Sequence, residues 1–113
     1  MANWQDAISA NLETLSLLGR GNPEIMQALG SMDSAAKSQK ALDDKTRELI
    51  ALAVAATTRC EGCIAIHAKA AAKAGASRAE LLETLAVAIA LNAGAAAVYS
   101  SRILEAFDQF NGK

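Results

Sequence analysis

At 113 residues the chain is short, and the sequence predicts a single domain spanning residues 1–113. Its 11 basic and 12 acidic residues are interleaved and give a net charge of −1, which argues against a nucleic-acid-binding protein. The composition is 52% hydrophobic but only 4% aromatic, and alanine supplies much of the apolar content. Because each alanine buries little apolar area, we expect helix faces to be shared between subunits of a homo-oligomer.

The sequence predicts neither a targeting segment nor a membrane span. Residues Met1–Asp6 lack the basic segment and apolar core of a signal peptide. The longest weakly polar run, Leu85–Val98, is too short to cross a bilayer, and Asn92 interrupts it. We therefore expect a cytoplasmic protein without a membrane partner. In a reducing compartment, two cysteines three residues apart indicate redox or metal chemistry more than a structural disulfide.

Helical spacing of apolar residues, without strand-like alternation, predicts an all-α fold of about five or six helices. The first helix is predicted over about Trp4 to Leu18 and ends at Gly19–Gly21. The second begins at Asn22–Glu24, where Asn22 can cap and a proline suits the first turn. The polar stretch Asp33–Lys40 is compatible with both the end of this helix and a loop.

Three further helices follow. Asp43 is predicted to cap the third, which runs to about Thr58, and the fourth extends from near Cys60 to Gly75. The capping-box pattern Ser77–Glu80 opens a fifth helix of about Arg78 to Phe110. Its apolar residues cover more than one face, which predicts a helix buried on most sides by subunit contacts.

The candidate chemistry lies between Glu48 and His67, a stretch that holds both cysteines and the only histidine. At 100° per residue, Cys60, Cys63 and His67 fall on one narrow helix face, so the thiols and the imidazole are neighbours. Glu48 lies on the preceding helix, in line with Leu52 and expected to face the core. These four residues are the predicted catalytic set.

A Cys-X-X-Cys pair at the start of a helix suits redox chemistry, because the helix N-terminus favours the nucleophilic thiolate. His67 can take a proton from the Cys63 thiol and return it to a leaving group. The second thiol can convert a sulfenic acid into a disulfide. Glu48 can orient the histidine or relay protons to it.

Each residue also has a less specific explanation. Glu48 could be a surface residue paired with Lys45, and His67 could be a packed core histidine. The cysteines could be small buried hydrophobic residues. Zinc binding by Cys60, Cys63, His67 and Glu48 is a further alternative. The convergence of three ionisable residue types on one face favours thiol chemistry over the less specific explanations. The sequence predicts no bound metal and no cofactor, because there is no second cysteine or histidine pair and a closed four-ligand site would need Glu48.

The segments Leu42–Ala55 and Arg59–Ile64, together with His67, resemble the AhpD-like alkylhydroperoxidase core of the carboxymuconolactone decarboxylase-like superfamily. The shared pattern is Glu, eleven residues, Cys, two residues, Cys, three residues, His. The similarity covers about Pro23 to Phe107, most of the chain.

The resemblance implies an AhpD-like helical bundle that assembles as trimers or hexamers. It implies that Cys63 attacks a hydroperoxide, that the more exposed Cys60 resolves the product, and that Glu48 and His67 relay protons. It also implies a dithiol reductant such as dihydrolipoamide, or a thiol protein. Some members have a second histidine before the second cysteine, where this chain has Gly62.

Three functions follow in order of preference. The first is a peroxidase-type oxidoreductase that reduces alkyl hydroperoxides through a Cys60–Cys63 disulfide. The second is a redox-sensing or structural oligomeric subunit with little turnover. The third, which draws only on the superfamily fold, is a decarboxylase-like lyase acting on a small lactone acid.

Overall fold

A computed structural model describes residues 3–112 of the chain. Within these residues it contains five α-helices and no strand, which confirms the predicted all-α fold. The helices are α1 (Trp4–Gly21), α2 (Pro23–Lys37), α3 (Asp44–Thr58), α4 (Glu61–Lys73) and α5 (Arg78–Phe110).

The predicted caps account for the helix starts. The side chain of Asn22 accepts a hydrogen bond from the Ile25 N–H, with proline in the first turn of α2. The Asp43 side chain likewise accepts a hydrogen bond from the Thr46 N–H at the start of α3. At α5 the Ser77 hydroxyl accepts from the Glu80 N–H while the Glu80 carboxylate accepts from the Ser77 N–H, so the predicted capping box is confirmed.

Two helix ends differ from the prediction. Helix α1 continues through the glycines to Gly21, three residues beyond Leu18, and ends only where Asn22 starts the next cap. Helix α2 continues to Lys37, so the first part of the polar stretch is helical and the rest forms the turn before α3. Intrahelical hydrogen bonds are retained at both positions because no proline interrupts them earlier.

The helices pack as two groups that meet at α4. Helix α3 packs against α4 and α5, while α1 packs against α2 and α4. The fully buried apolar residues are few and small, and they lie on the faces that α3 and α4 present to their neighbours: Leu52, Ala55, Ala65 and Ala71. The buried core is therefore centred on the two helices that hold the predicted site.

The single chain is extended for its length. Its radius of gyration is 18.6 Å, whereas a compact domain of this length has one of about 13 Å. Helix α5 holds no fully buried residue. Ile103 is 68% exposed and Phe107 62% exposed. Within one chain only the first half of α5 packs on α3, and the burial of its other sides by subunit contacts stays a prediction.

Helix α5 also changes the membrane assessment made from Leu85–Val98. By length and composition alone, Arg78–Phe110 is long and apolar enough to cross a membrane. The run Leu85–Val98 underestimates the length of the uncharged segment, since residues 84–101 contain no charged side chain. Helices that pack between subunits of soluble proteins share these two properties, so they do not by themselves indicate a membrane span.

Candidate redox-active site

The site is built on the tight turn between α3 and α4. Arg59 ends α3 in the left-handed region, with φ 56°, and the Cys60 N–H then bonds back to the Ala55 carbonyl at 3.1 Å. The residue type does not indicate this conformation, because glycine or asparagine usually occupies such a position. The turn needs only Arg59 and Cys60, so α4 folds directly back along α3.

The two cysteines are joined by a disulfide across the first turn of α4. Their Cα atoms are 5.2 Å apart, a normal separation for a disulfide. Cys60 is the N-cap residue of α4, and its sulfur accepts a hydrogen bond from the Cys63 N–H at 3.2 Å. Both residues are half-buried. A thiolate formed here would lie at the positive end of the α4 dipole.

Glu48 and His67 meet across the α3–α4 interface. His67 Nδ1 lies 2.6 Å from Glu48 Oε2, and both side chains are largely shielded, with 29% and 16% exposure respectively. The predicted inward orientation of Glu48 is confirmed by this shielding, and Leu52, one turn further along α3, is buried as well. This contact occupies Nδ1 and leaves Nε2 outside it. His67 follows Cys63 by one helical turn.

The alternative explanation, in which Glu48 pairs with Lys45 at the surface, does not hold. The ammonium group of Lys45 lies 2.8 Å from a carboxylate oxygen of Glu80 on α5. The hydrogen bond from Lys45, followed by that from the Ser77 backbone, holds the pKa of Glu80 below its usual value. The same carboxylate raises the pKa of Lys45. This ion pair connects the start of α3 to the start of α5. Glu48 is therefore available to contact His67.

A cavity of about 310 Å³ gives access to the Glu48–His67 pair. Its walls come from α2, the turn after it, and α3, and they combine aliphatic side chains with one acidic and two basic residues: Asp33, Ala36, Lys37, Leu42, Arg47, Ile50 and Ala51. The two basic side chains have acidic partners, because Lys37 pairs with Asp33 and Arg47 with Asp44. A small molecule entering here reaches the predicted proton relay.

Gly62, between the two cysteines, lies against α1. A Cβ atom placed at Gly62 would come within 2.6 Å of Asn11 Cγ and 3.0 Å of Asn11 Nδ2, well inside van der Waals contact. Any side chain here would therefore collide with α1. The contact is with the end of the Asn11 side chain, which would have to move to admit a side chain at position 62. The sequence offered no sign of this contact, because it joins residues 51 positions apart, from 11 to 62.

The arrangement thus brings all four predicted residues together in one place. Glu48 and His67 touch, and the Cys60–Cys63 disulfide lies at the start of the same helix as His67. In this disulfide form the two sulfurs offer no thiolate ligands to a zinc ion. What the group can do chemically is store two electrons as a dithiol and move a proton beside it.

Comparison with known proteins agrees with this fold. A sequence model of the carboxymuconolactone decarboxylase family matches residues 23–106, which leaves α1 outside the matched region. An uncharacterized protein of Haemophilus influenzae is 53% identical over 105 residues, covering 93% of each chain. An uncharacterized protein from the cox locus of Paracoccus denitrificans is 34% identical over 93 residues, covering 82% of this chain and 84% of that protein.

A solved structure shares the fold. The crystal structure of apo-lpg0406, a carboxymuconolactone decarboxylase family protein from Legionella pneumophila, superposes with a TM-score of 0.71. The two chains are 37% identical, and the match covers 95% of this chain and 96% of the other. With the family match over residues 23–106 and this shared all-helical fold, the chain belongs to the carboxymuconolactone decarboxylase family.

Proposed function

We propose that the protein is a thiol-dependent peroxidase that reduces alkyl hydroperoxides by cycling Cys60 and Cys63 between dithiol and disulfide. One observation carries the proposal: the Cys60–Cys63 disulfide begins the same helix that holds His67, which is hydrogen-bonded to Glu48. A half-buried redox pair needs a nearby group to supply and remove protons, and this arrangement provides one.

The cycle has two steps. The Cys63 thiolate attacks the outer peroxide oxygen, the O–O bond breaks, and His67 delivers the proton that releases the alcohol. Cys63 is then a sulfenic acid. The Cys60 thiol attacks its sulfur, water leaves, and the disulfide forms. One hydroperoxide and the dithiol thus yield one alcohol, one water and one disulfide.

A dithiol must then restore the thiols. We propose dihydrolipoamide, or a thiol protein, as the class of reductant, because a dithiol delivers both electrons and both protons through one mixed disulfide. Its own sulfurs end as a disulfide. The cavity beside Glu48 and His67 has aliphatic walls that suit the apolar part of such a small molecule.

Assembly into a homo-oligomer, a trimer or hexamer, is part of the proposal. The supporting observations are the small core, the extended shape, and the unpaired apolar second half of α5. A chain with so little buried area is poorly stabilised alone. A redox-sensing subunit with little turnover is the second candidate, and the same exposed helix favours it. The decarboxylase activity in the family name makes no use of a disulfide.

The test is steady-state consumption of cumene hydroperoxide with dihydrolipoamide as reductant. We expect turnover by the native protein and none by Cys63→Ser, which lacks the sulfur that attacks the hydroperoxide. Cys60→Ser should turn over more slowly than the native protein, because dihydrolipoamide must then reduce the Cys63 sulfenic acid directly. Turnover by Cys63→Ser at the native rate would refute the assignment. If the native protein showed no turnover but its oligomeric mass changed with redox state, the sensing subunit would be favoured.

A further inference from the structure

Arg59 combines an unfavourable backbone conformation with a side chain that no neighbouring residue binds. Its φ of 56° and ψ of 43° lie in the left-handed region, where glycine is the residue without a steric cost. Within residues 3–112 its guanidinium group forms no hydrogen bond and no ion pair with the protein, whereas Lys37, Lys45 and Arg47 each pair with a carboxylate. The turn alone would favour glycine, so the arginine side chain needs a separate explanation.

The Arg59 side chain lines a cavity of about 470 Å³ between the end of α3 and the first half of α5. This volume falls in the range of small-molecule sites, about 300–1,000 Å³. Most of the remaining lining is aliphatic, and two side chains are polar and uncharged: Ala56, Leu85, Ala88 and Ile89, with Thr57 and Asn92. Among the described residues the lining includes no acidic side chain, so the cavity is positively charged.

The two uncharged polar side chains already have partners in the chain. The Thr57 hydroxyl donates to the Val54 carbonyl at 2.9 Å, and the Asn92 amide donates to the Ala88 carbonyl at 2.7 Å. The guanidinium group of Arg59 has five N–H donors in a planar fork, and its side chain is exposed. A ligand in the cavity would therefore find its hydrogen-bond donors and a positive charge at Arg59, and apolar contacts along α5.

We propose that this cavity binds a small aliphatic carboxylate, with the carboxylate group on Arg59 and the hydrocarbon chain against Leu85 and Ile89. A carboxylate can accept two parallel hydrogen bonds from one guanidinium group, which favours it over other anions of similar size. Only a ligand with a hydrocarbon part gains from contact with the aliphatic wall. The site goes beyond the proposed function, since it uses neither the cysteines nor the Glu48–His67 pair.

A positive charge at position 59 also complements the carboxyl end of α3, which has no basic residue in its last turn. That explanation requires only the charge, so lysine would serve as well as arginine. Binding of a carboxylate by two parallel hydrogen bonds requires the planar fork in addition. Arg59→Lys therefore separates the two explanations, because it should keep the native stability while its affinity for a carboxylate falls.

The experiment measures binding of sodium octanoate to the native protein by isothermal titration calorimetry. We expect one molecule per chain, with an affinity about tenfold greater than that of octanamide, which keeps the hydrocarbon chain but lacks the charge. Added salt should weaken octanoate binding, because the guanidinium group is exposed. Arg59→Gln should lower the affinity about tenfold and Arg59→Lys about threefold.

Two matched controls locate the site. Arg20→Gln removes a positive charge from α1, which packs against neither α3 nor α5, and it should keep the native affinity. Ile89→Ala shortens the apolar wall and should weaken octanoate binding about fivefold. Val87→Ala makes a similar change about 200° away around α5 and should leave the affinity unchanged.

Equal affinities for octanoate and octanamide would overturn the proposal, and this comparison uses only the native protein, so it does not depend on the folding of a variant. A native affinity in Arg59→Gln would overturn it as well. So would a failure of the native protein to bind octanoate at millimolar concentration. A lower mass of Arg59→Gln in sedimentation equilibrium would then assign the cavity to a contact with a second copy of the chain.

Discussion

His67 on α4 and Glu48 on α3 are 19 residues apart in the chain, yet His67 Nδ1 lies 2.6 Å from Glu48 Oε2. A carboxylate at Nδ1 fixes the ring orientation and keeps the proton on that nitrogen, which leaves Nε2 to exchange protons. The pair is held between the two helices that contribute most of the buried core. Single substitutions of Glu48 or His67 can therefore test the chemical role of the pair directly.

Substitution of either member of this pair should slow oxidation of the thiols by hydroperoxide. We expect about a hundredfold loss for His67→Gln, and a smaller loss of about tenfold for Glu48→Gln, which keeps the size but loses the charge. The measurement is the single-turnover rate with cumene hydroperoxide at several pH values. Glu83→Gln, at an exposed position on α5, is the control. A native rate in Glu48→Gln would exclude the carboxylate from the relay.

The exposed half of α5 should mediate assembly. Ile103→Asp places a charge on its apolar surface, and we expect the oligomer to dissociate at micromolar concentration because burying a carboxylate there is costly. Sedimentation equilibrium gives the mass. Gln109→Asp adds the same charge about 120° away around the helix and should leave the mass unchanged. A native protein that is monomeric in buffer, or that partitions into vesicles, would contradict this account of α5.

The ion pair between Lys45 and Glu80 should make stability depend on pH at both ends of the scale. The pKa of Glu80 is lowered on folding, so its contribution is complete above its ordinary value of 4.5 and is lost as pH falls through the lower folded value. The pKa of Lys45 is raised, so its contribution is complete below 10.5 and is lost at higher pH.

Glu80→Gln tests this dependence while keeping a capping-box residue at the start of α5. We expect the variant to melt at a lower temperature than the native protein at pH 7, and the difference to shrink as the pH falls below 4.5. Thermal unfolding at one fixed protein concentration measures both. A difference that is independent of pH would mean that the charge of Glu80 is irrelevant to stability.

The local features of this fold follow from the sequence. Asp43 and the Ser77–Glu80 box mark helix starts through side chains that bond to nearby backbone, and three-residue spacing suffices to recognise them. The inward face of Glu48 follows from its register with Leu52. The features that depend on contacts between distant parts of the chain could not be predicted from the sequence.

Three such features were missed. Arg59 adopts a left-handed conformation that its residue type does not indicate. Lys45 prefers Glu80 on another helix to its near neighbour, which only the packing of α3 on α5 determines. The fit of Asn11 over Gly62 depends on how α1 docks, and local spacing carries no information about that contact.

The central claim is that Cys60 and Cys63 form a redox pair that reacts with hydroperoxide, and counting thiols tests it most directly. The protein is fully reduced, freed of reductant, checked for bound metal, and given one equivalent of cumene hydroperoxide. We predict rapid loss of both thiols for one hydroperoxide consumed, with the Cys60–Cys63 disulfide as the product. Thiols that persist for hours beside unreacted hydroperoxide would contradict the account.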